Sequence, residues 1–360
     1  MSREIKLGVV GFGPRGLSMS DICVNGFKHV KLTAICDISA EALKSAADKY
    51  PGVKQYEDFE QMLKTSGIDA VLVETPADNH ARFCAMSLEH GVHVFSDIPS
   101  VNSLEESDML WKAAADNKAM FMTGANPNFW GFIEAAVDLN KKGLLGTPYY
   151  LEAEYIHCVN RDPFKTTTTW RTTLPPIKYC THSLGPLLRL IPEDLRYVSC
   201  VSTGSHVHKY PGQQDLMTAH FRTESNVVVR LTVSFVNNAH IGYHSYRVFG
   251  TEGYFERSSG RGGIEKSHVM FSSNKLYGAH NLTELNVGYM PNEYADNPQA
   301  TGHGGADYAM FDNFFKAIEN NAPSPVSLRE GLRMTLPGIF ANESAASGGK
   351  IIRISYPWEK

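Results

Sequence analysis

The sequence predicts an α/β chain in two parts: an N-terminal doubly wound parallel sheet, followed by a C-terminal α+β domain with an open, mainly antiparallel sheet. Three observations carry this. From Ile5 to about Met122, short Val/Ile/Leu runs, apolar on both faces as buried parallel strands are, alternate with helical stretches. After Pro148 the texture changes to longer alternating segments separated by turn residues, which suits antiparallel pairing. At 360 residues the chain exceeds one ordinary core, on a prior of roughly 100 to 200 residues per domain. The division is set at 1–123 and 124–360.

Taken in order, the first part reads as strand IKLGVVGF, a helix after Gly16, strand VKLTAICD, a helix from Ser39, strand IDAVLVETP, a helix from Asn79, strand VHVFSDIP, a helix from Ser103 and strand AMFMTGA. Units of this kind cross over right-handedly into one sheet. In the second part YYLEAEYIH, LMTAHFR, NVVVRLTVSF, YHSYRVFG and GYFERS read as strands, with a helix-like segment from His182 to Leu190 between them. From Asp307 to Asn320, Met310, Phe311, Phe314, Phe315 and Ile318 recur at helical spacing, the pattern of a core-facing stripe. The Gly/Asn-rich stretch from Ser258 to Gly305 is expected to be a long loop.

Composition narrows the function. An apolar fraction of 42%, a charged fraction of 20% and a net charge of −4 describe a globular chain with no basic field for nucleic acid or anionic lipid. No run approaches the ~18 apolar residues of a spanning helix, and the start has no basic segment leading into a cleavable apolar core; no membrane partner is expected. Cys23, Cys36, Cys84, Cys158, Cys180 and Cys200 are scattered without a close pair, so reduced core thiols and a cytoplasmic setting are expected. His206 with His208, and His240 with His244, share strand faces. No carboxylate accompanies them, and no metal site is expected.

Gly11-Phe12-Gly13-Pro14-Arg15-Gly16 fits G-x-G-x-x-G, and its context gives the motif weight. It leaves an apolar strand, opens a helix, and is followed 21 residues after Gly16 by Asp37 at the end of the next strand. The glycines let the backbone turn tightly and approach a pyrophosphate, while the helix N-terminus supplies N–H groups and partial positive charge. Asp37 accepts from both ribose hydroxyls and repels a 2′-phosphate, which predicts NAD rather than NADP in a Rossmann-type domain; Arg15 is the nearby cation that argues the other way.

With this domain placed, Glu74-Thr75-Pro76-Ala77-Asp78-Asn79-His80 and Gly91-Val92-His93-Val94-Phe95-Ser96-Asp97-Ile98-Pro99 resemble the third- and fourth-strand ends of the glucose-fructose oxidoreductase, inositol dehydrogenase and rhizopine catabolism (Gfo/Idh/MocA) family. The resemblance runs along essentially the whole chain. It implies NAD at the strand C-termini, held by Gly11, Phe12, Gly13, Pro14, Arg15, Gly16, Asp37, Thr75, Pro76, Asn79, His80, Asp97, Ile98, Pro99 and Asn126, with the nicotinamide facing a sugar-sized pocket. It also implies a homodimer or homotetramer, because the open sheet of such proteins usually packs against another subunit.

Two departures matter. Ordinary dehydrogenases of the family carry Glu-Lys-Pro where this chain has Asp97-Ile98-Pro99, and Ile98 cannot deprotonate a hydroxyl. They also place an aspartate four residues before the site histidine, where this chain has Lys178 before His182. A narrower branch is more similar: the NAD-dependent α-N-acetylgalactosaminidase-like enzymes of glycoside hydrolase family 109. It resembles this chain at Gly13-Pro14-Arg15-Gly16 with Ile98, at Glu152-Ala153-Glu154-Tyr155-Ile156-His157, at Trp170-Arg171, at Tyr179-Cys180-Thr181-His182-Ser183-Leu184-Gly185-Pro186 and at His303-Gly304-Gly305.

That resemblance implies a glycosidase outside the two-carboxylate scheme. NAD oxidises C3 of the sugar, the ketone acidifies C2–H, a base removes that proton and the C1 substituent leaves; water adds and NADH returns the hydride. The chemistry needs a base near neutrality and donors at the enolate oxygen. His182 is the leading candidate for base, with Tyr179 three residues before it as proton donor or relay. Glu152 is the candidate to orient the sugar or protonate the leaving group, and Tyr243 matches a site tyrosine. Arg171 and Lys178 suit an acidic or acetamido substituent, and Trp170, Tyr155 and His157 complete the substrate-binding set. The alternatives are a sugar or inositol dehydrogenase of the same family, and a dinucleotide-binding protein that has lost its chemistry.

Overall fold

The computed structural model describes residues 3–157, 170–207, 212–236, 243–259 and 267–360, with the backbone alone at 171, 172, 243, 259 and 267. They divide into two compact units: Met1–Phe129 with Pro291–Leu332, and Trp130–Met290 with Arg333–Lys360.

In the first unit β1 (Ile5–Val10), β2 (Val30–Cys36), β3 (Lys54–Tyr56), β4 (Ala70–Val73), β5 (His93–Ser96) and β6 (Phe121–Thr123) form one parallel sheet in the order β3-β2-β1-β4-β5-β6. Their apolar runs are buried on both faces; all four residues of β4 are buried. Edge strand β3 carries no strand signal in the sequence, because Lys54 and Gln55 are exposed and leave no apolar run. The crossovers carry α1 (Pro14–Gly26), α2 (Ala40–Lys49), α3 (Phe59–Thr65), α4 (His80–Glu89) and α5 (Leu104–Asp116). Ser39, Asp58 and Ser103 cap α2, α3 and α5 by accepting backbone N–H bonds, whereas α1 starts after Gly13 with no side-chain cap. Strand order reverses between β1 and β4, so the binding crevice of this architecture opens at their C-terminal ends, beside Gly11 and Glu74.

In the second unit α6 (Gly131–Lys141) leads to β7 (Pro148–Ile156), followed by α7 (Trp170–Thr173) and α8 (Thr181–Leu188). Then come β8 (Tyr197–Ser202), β9 (Leu216–Arg222), β10 (Val228–Ser234), β11 (Tyr243–Gly250), β12 (Gly253–Ser259), β13 (Ser267–Ser273) and β14 (Thr283–Leu285). β7 lies inside the sheet, parallel to β10 and antiparallel to β11; the remaining pairings among the described residues are antiparallel. Leu151, Ala153 and Tyr155 are buried on the face of β7 that packs α8, while Glu152 and Glu154 take the other face. The expected loop between Ser258 and Gly305 is partly sheet: β13 buries Val269 and Phe271, an alternation too brief to stand out among its serines.

The chain then returns to the first unit as α9 (Ala306–Asn320), whose Phe311 and Phe314 meet Phe95 of β5 and whose Phe315 meets Phe27. The predicted stripe is therefore core. It also moves residues 291–332 out of the C-terminal part drawn from the sequence, because those aromatics complete the first unit's packing rather than the second's. α10 (Leu328–Ala346) and β15 (Ile352–Arg353), which pairs with β8, end the fold. Cys23, Cys36, Cys84, Cys180 and Cys200 are buried free thiols. Burial pushes Cys36, Cys84, Cys180 and Cys200 up to about 12. Among the described residues no helix is long and apolar enough to cross a membrane.

Candidate functional site

The dinucleotide motif folds into a cradle. Gly11 has φ +87°, and a Cβ there would lie 2.8 Å from the Glu74 backbone; a Cβ on Gly16 would lie 2.1 Å from the Gly11 carbonyl oxygen. Nothing lies within 4 Å of the Cβ position of Gly13, and the start of α1 has no side-chain cap, as suits a helix end that receives a phosphate. Asp37 accepts from the Phe12 N–H at 2.6 Å and the Ser39 N–H at 2.8 Å, which fixes its carboxylate at the mouth of the crevice. A cleft of about 400 Å³ opens there, its lining including Gly11, Asp37, Thr75, Pro76 and Asn79 together with Phe59, Phe83 and Met86. The accepting Asp37 carboxylate and the apolar side chains fit the ribose and adenine of a dinucleotide's adenosine half.

Arg15 settles its own role. Its guanidinium lies 3.4 Å from Asp97, 3.3 Å from Asp307 and 3.9 Å from Glu74. Burial alone would lower its pKa, but Asp97, Asp307 and Glu74 together hold it above its ordinary value. An arginine so engaged is not poised to read a 2′-phosphate. Glu74, whose side chain has 0% exposure, is driven well above the carboxylate range by burial and by Asp97 and Asp307, against the opposing pull of Arg15. Among the described residues neither of its oxygens has a hydrogen-bond partner. For Asp307, burial raises and the His303 bond and Arg15 lower; the net direction is down. His80, 1% exposed, sets its two ring nitrogens 2.9 Å from the Pro99 oxygen and 2.6 Å from the Thr75 oxygen, so it ties two crevice loops together. Ile98 is 2% exposed and supplies no amine.

The second unit assembles a histidine-aromatic cluster. The short 3-10 turn Pro176–Tyr179 runs directly into α8, and the three-residue spacing sets the Tyr179 hydroxyl 3.4 Å from His182 Nε2. Tyr155, projecting from β7, meets Tyr179 at 5.5 Å, His182 at 5.4 Å and His244 at 4.8 Å between ring centroids, and His157 stacks on it at 5.7 Å. Trp170 approaches Tyr179 at 6.3 Å. The Tyr246 hydroxyl donates to the His182 carbonyl at 2.7 Å, tying α8 to β11. Beneath them Arg257, 0% exposed, donates to the His244 carbonyl and to Tyr289 and stacks over Phe132 and Tyr289.

The structure thus brings together Tyr155, His157, Trp170, Tyr179 and His182, with Lys178 on the same turn. Glu152 is not among them. It lies on the opposite face of β7, held by Arg230 at 2.9 Å, Arg247 at 2.6 Å and the Tyr150 hydroxyl at 2.9 Å, and the expected role at the sugar is corrected to a sheet-face ion network. Tyr243 stands in register with Ile156 and Arg171 lies in α7; their side chains, with His208 and His240, fall outside the described residues. Sequence reasoning missed His244, whose register with Tyr155 puts it on the cluster face. It also missed Tyr246, Arg257, Glu74 and Asp307. Among the described residues no group of His, Cys, Asp and Glu is arranged to hold a metal.

Residues 5–125 match the family model described as oxidoreductase family, NAD-binding Rossmann fold, and residues 139–352 match that of the same family's C-terminal alpha/beta domain. The chain is 30% identical over 202 residues to glycosyl hydrolase family 109 protein 2 of Akkermansia muciniphila; this stretch is 51% of the chain and only 42% of that protein. It is 23% identical over 376 residues to a glycosyl hydrolase family 109 protein of Saccharopolyspora erythraea, covering 94% of the chain and 80% of that protein. Scyllo-inositol dehydrogenase from Lactobacillus casei, solved with NAD(H) and scyllo-inositol, shares the fold at a TM-score of 0.78 and 20% identity, over 98% of this chain and 99% of that one.

Proposed function

The chain belongs to the Gfo/Idh/MocA oxidoreductase family and binds NAD, and from that premise we propose that it oxidises a ring hydroxyl of a sugar or polyol. The observation that carries the reading is the Tyr179–His182 pair set among aromatic rings, in a chain whose other unit binds a redox dinucleotide. NAD supplies the two-electron acceptor for a carbinol carbon. His182 takes the proton of the hydroxyl being oxidised, and Tyr179, within reach of its Nε2, relays that proton. The ring faces of Tyr155 and Trp170 receive the C–H faces of the sugar. Lys178, with Arg171, selects an acidic or acetamido substituent.

A second, finer reading is favoured by the buried Ile98 and by the relatives of glycosyl hydrolase family 109. In it the new ketone acidifies the neighbouring carbon, the aglycone leaves by elimination, water adds and the ketone is reduced again, so no net oxidation results. One experiment separates the two. The protein with NAD is incubated with a panel of nitrophenyl glycosides, acetamido and acidic sugars and inositols, while nitrophenol and NADH are both followed. NADH accumulating with the glycosidic bond intact supports the dehydrogenase; nitrophenol without accumulating NADH supports the hydrolytic cycle; neither product from any substrate would reject both. In either case His182→Gln is expected to lower kcat by roughly 10²- to 10⁴-fold, with NAD affinity measured calorimetrically unchanged.

A further inference from the structure

Asp307 lies 292 residues from Arg15 in sequence, outside the glycine motif and outside the residues that match the dinucleotide-domain model. Its side chain is 2% exposed, and its partners Arg15, Asn126 and His303 all belong to the first unit. Oδ2 accepts from Arg15 Nη1 at 3.3 Å and lies 2.7 Å from His303 Nδ1; Oδ1 accepts from Asn126 Nδ2 at 3.0 Å. The turn before α9 is shaped around this carboxylate. Residues 302 to 305 all have positive φ, of 77°, 45°, 69° and 89°, and a Cβ at Gly302 would lie 2.6 Å from Asp307 Oδ2 and 2.8 Å from Ile22 on α1. Arg15 is the second residue of α1, so its hold on Asp307 fixes the helix end whose N–H groups have no side-chain cap.

We propose that Asp307 is a positioning residue for dinucleotide binding: it clasps Arg15 to α9 and so holds the start of α1 in the geometry a pyrophosphate requires. The proposal rests on NAD binding by the first unit and not on the identity of the substrate. Its sign is opposite to that of simple electrostatics. By charge alone, removing an aspartate near a bound anion favours the anion, and an Arg15 relieved of one of its three carboxylates offers more of its positive charge to the phosphates. Both effects tighten NAD binding. Loss of positioning weakens it.

The test is NAD titration of the full chain by calorimetry for the wild type, Asp307→Asn, Arg15→Ala and the double variant, with thermal unfolding of each without NAD as a check on folding. Asp307→Asn, close in shape, is expected to raise the NAD dissociation constant about tenfold. Arg15→Ala is expected to do likewise, and the double variant to bind no more weakly than the weaker single one, as partners in one interaction do. Asp307→Glu, which keeps the carboxylate, is expected to recover part of the affinity. NAD binding by Asp307→Asn as tight as or tighter than wild type, or effects that multiply in the double variant, would overturn the clasp. If Asp307→Asn does not fold, Asp307→Ser, which also removes the carboxylate, completes the same cycle with Arg15→Ala under the same criteria. A wild-type protein that binds no NAD would instead remove the premise.

Discussion

At Glu74 a carboxyl group with no exposed side-chain surface, and no hydrogen-bond partner among the described residues, sits against the phosphate loop. Burial, reinforced by Asp97 and Asp307 and opposed by Arg15, holds it well above the usual carboxylate range, so the folded chain keeps a proton that the unfolded chain releases near pH 4.3, roughly the free value. Where the native state binds more protons than the unfolded one, stability falls as pH rises, and the loss accumulates from the unfolded value up to the raised folded one. Glu74→Gln removes that slope. Its melting temperature is expected to exceed the wild-type value by an amount that grows between about pH 5 and pH 8; an equal difference at both pH values would show that Glu74 is ionised in the fold. The surrounding cluster was only partly legible. Arg15 announced itself in the glycine motif, but its partners come from β4, the end of β5 and α9, and no local pattern joins positions so far apart in sequence.

At the scale of elements, β7 shows what strand periodicity conveys about faces. Its alternation predicts a strand, and Tyr155 faces the cluster. Position 152 differs from 155 by an odd number, which on one strand means opposite faces, and Glu152 accordingly joins Arg230 and Arg247. Glu152→Gln is expected to lower unfolding free energy by about 1–3 kcal/mol in urea, since it leaves two arginines without their shared carboxylate, while kcat stays within about twofold of wild type; a kcat loss of orders of magnitude would return Glu152 to the chemistry. The same parity argument, applied across strands, would have found His244. It could not be applied from sequence, because the register of β11 on β7 is a tertiary fact. Long apolar strands and helical stripes were legible because burial writes them into composition; short edge strands such as β3 were not, because nothing buries them.

For the molecule as a whole, cofactor choice is measurable through stability. A ligand that binds only the folded state stabilises it by about 2.7 kcal/mol at a hundred times its dissociation constant. NAD is therefore expected to raise the melting temperature more than NADP at equal concentration, because Asp37 is fixed by two backbone N–H groups at the crevice mouth while Arg15 is engaged elsewhere. Asp37→Ala should narrow that gap, and an unchanged gap would move the discrimination to another residue.

The buried thiols give each unit its own clock. Cys23, Cys36 and Cys84 lie in the first unit and Cys180 and Cys200 in the second, all sealed from reagent while the fold is closed. Alkylation at each of them proceeds only as fast as its surroundings open. Mass spectrometry of peptides collected over time, with and without NAD, would therefore register the opening of one half of the chain separately from the other, using labels the sequence already carries.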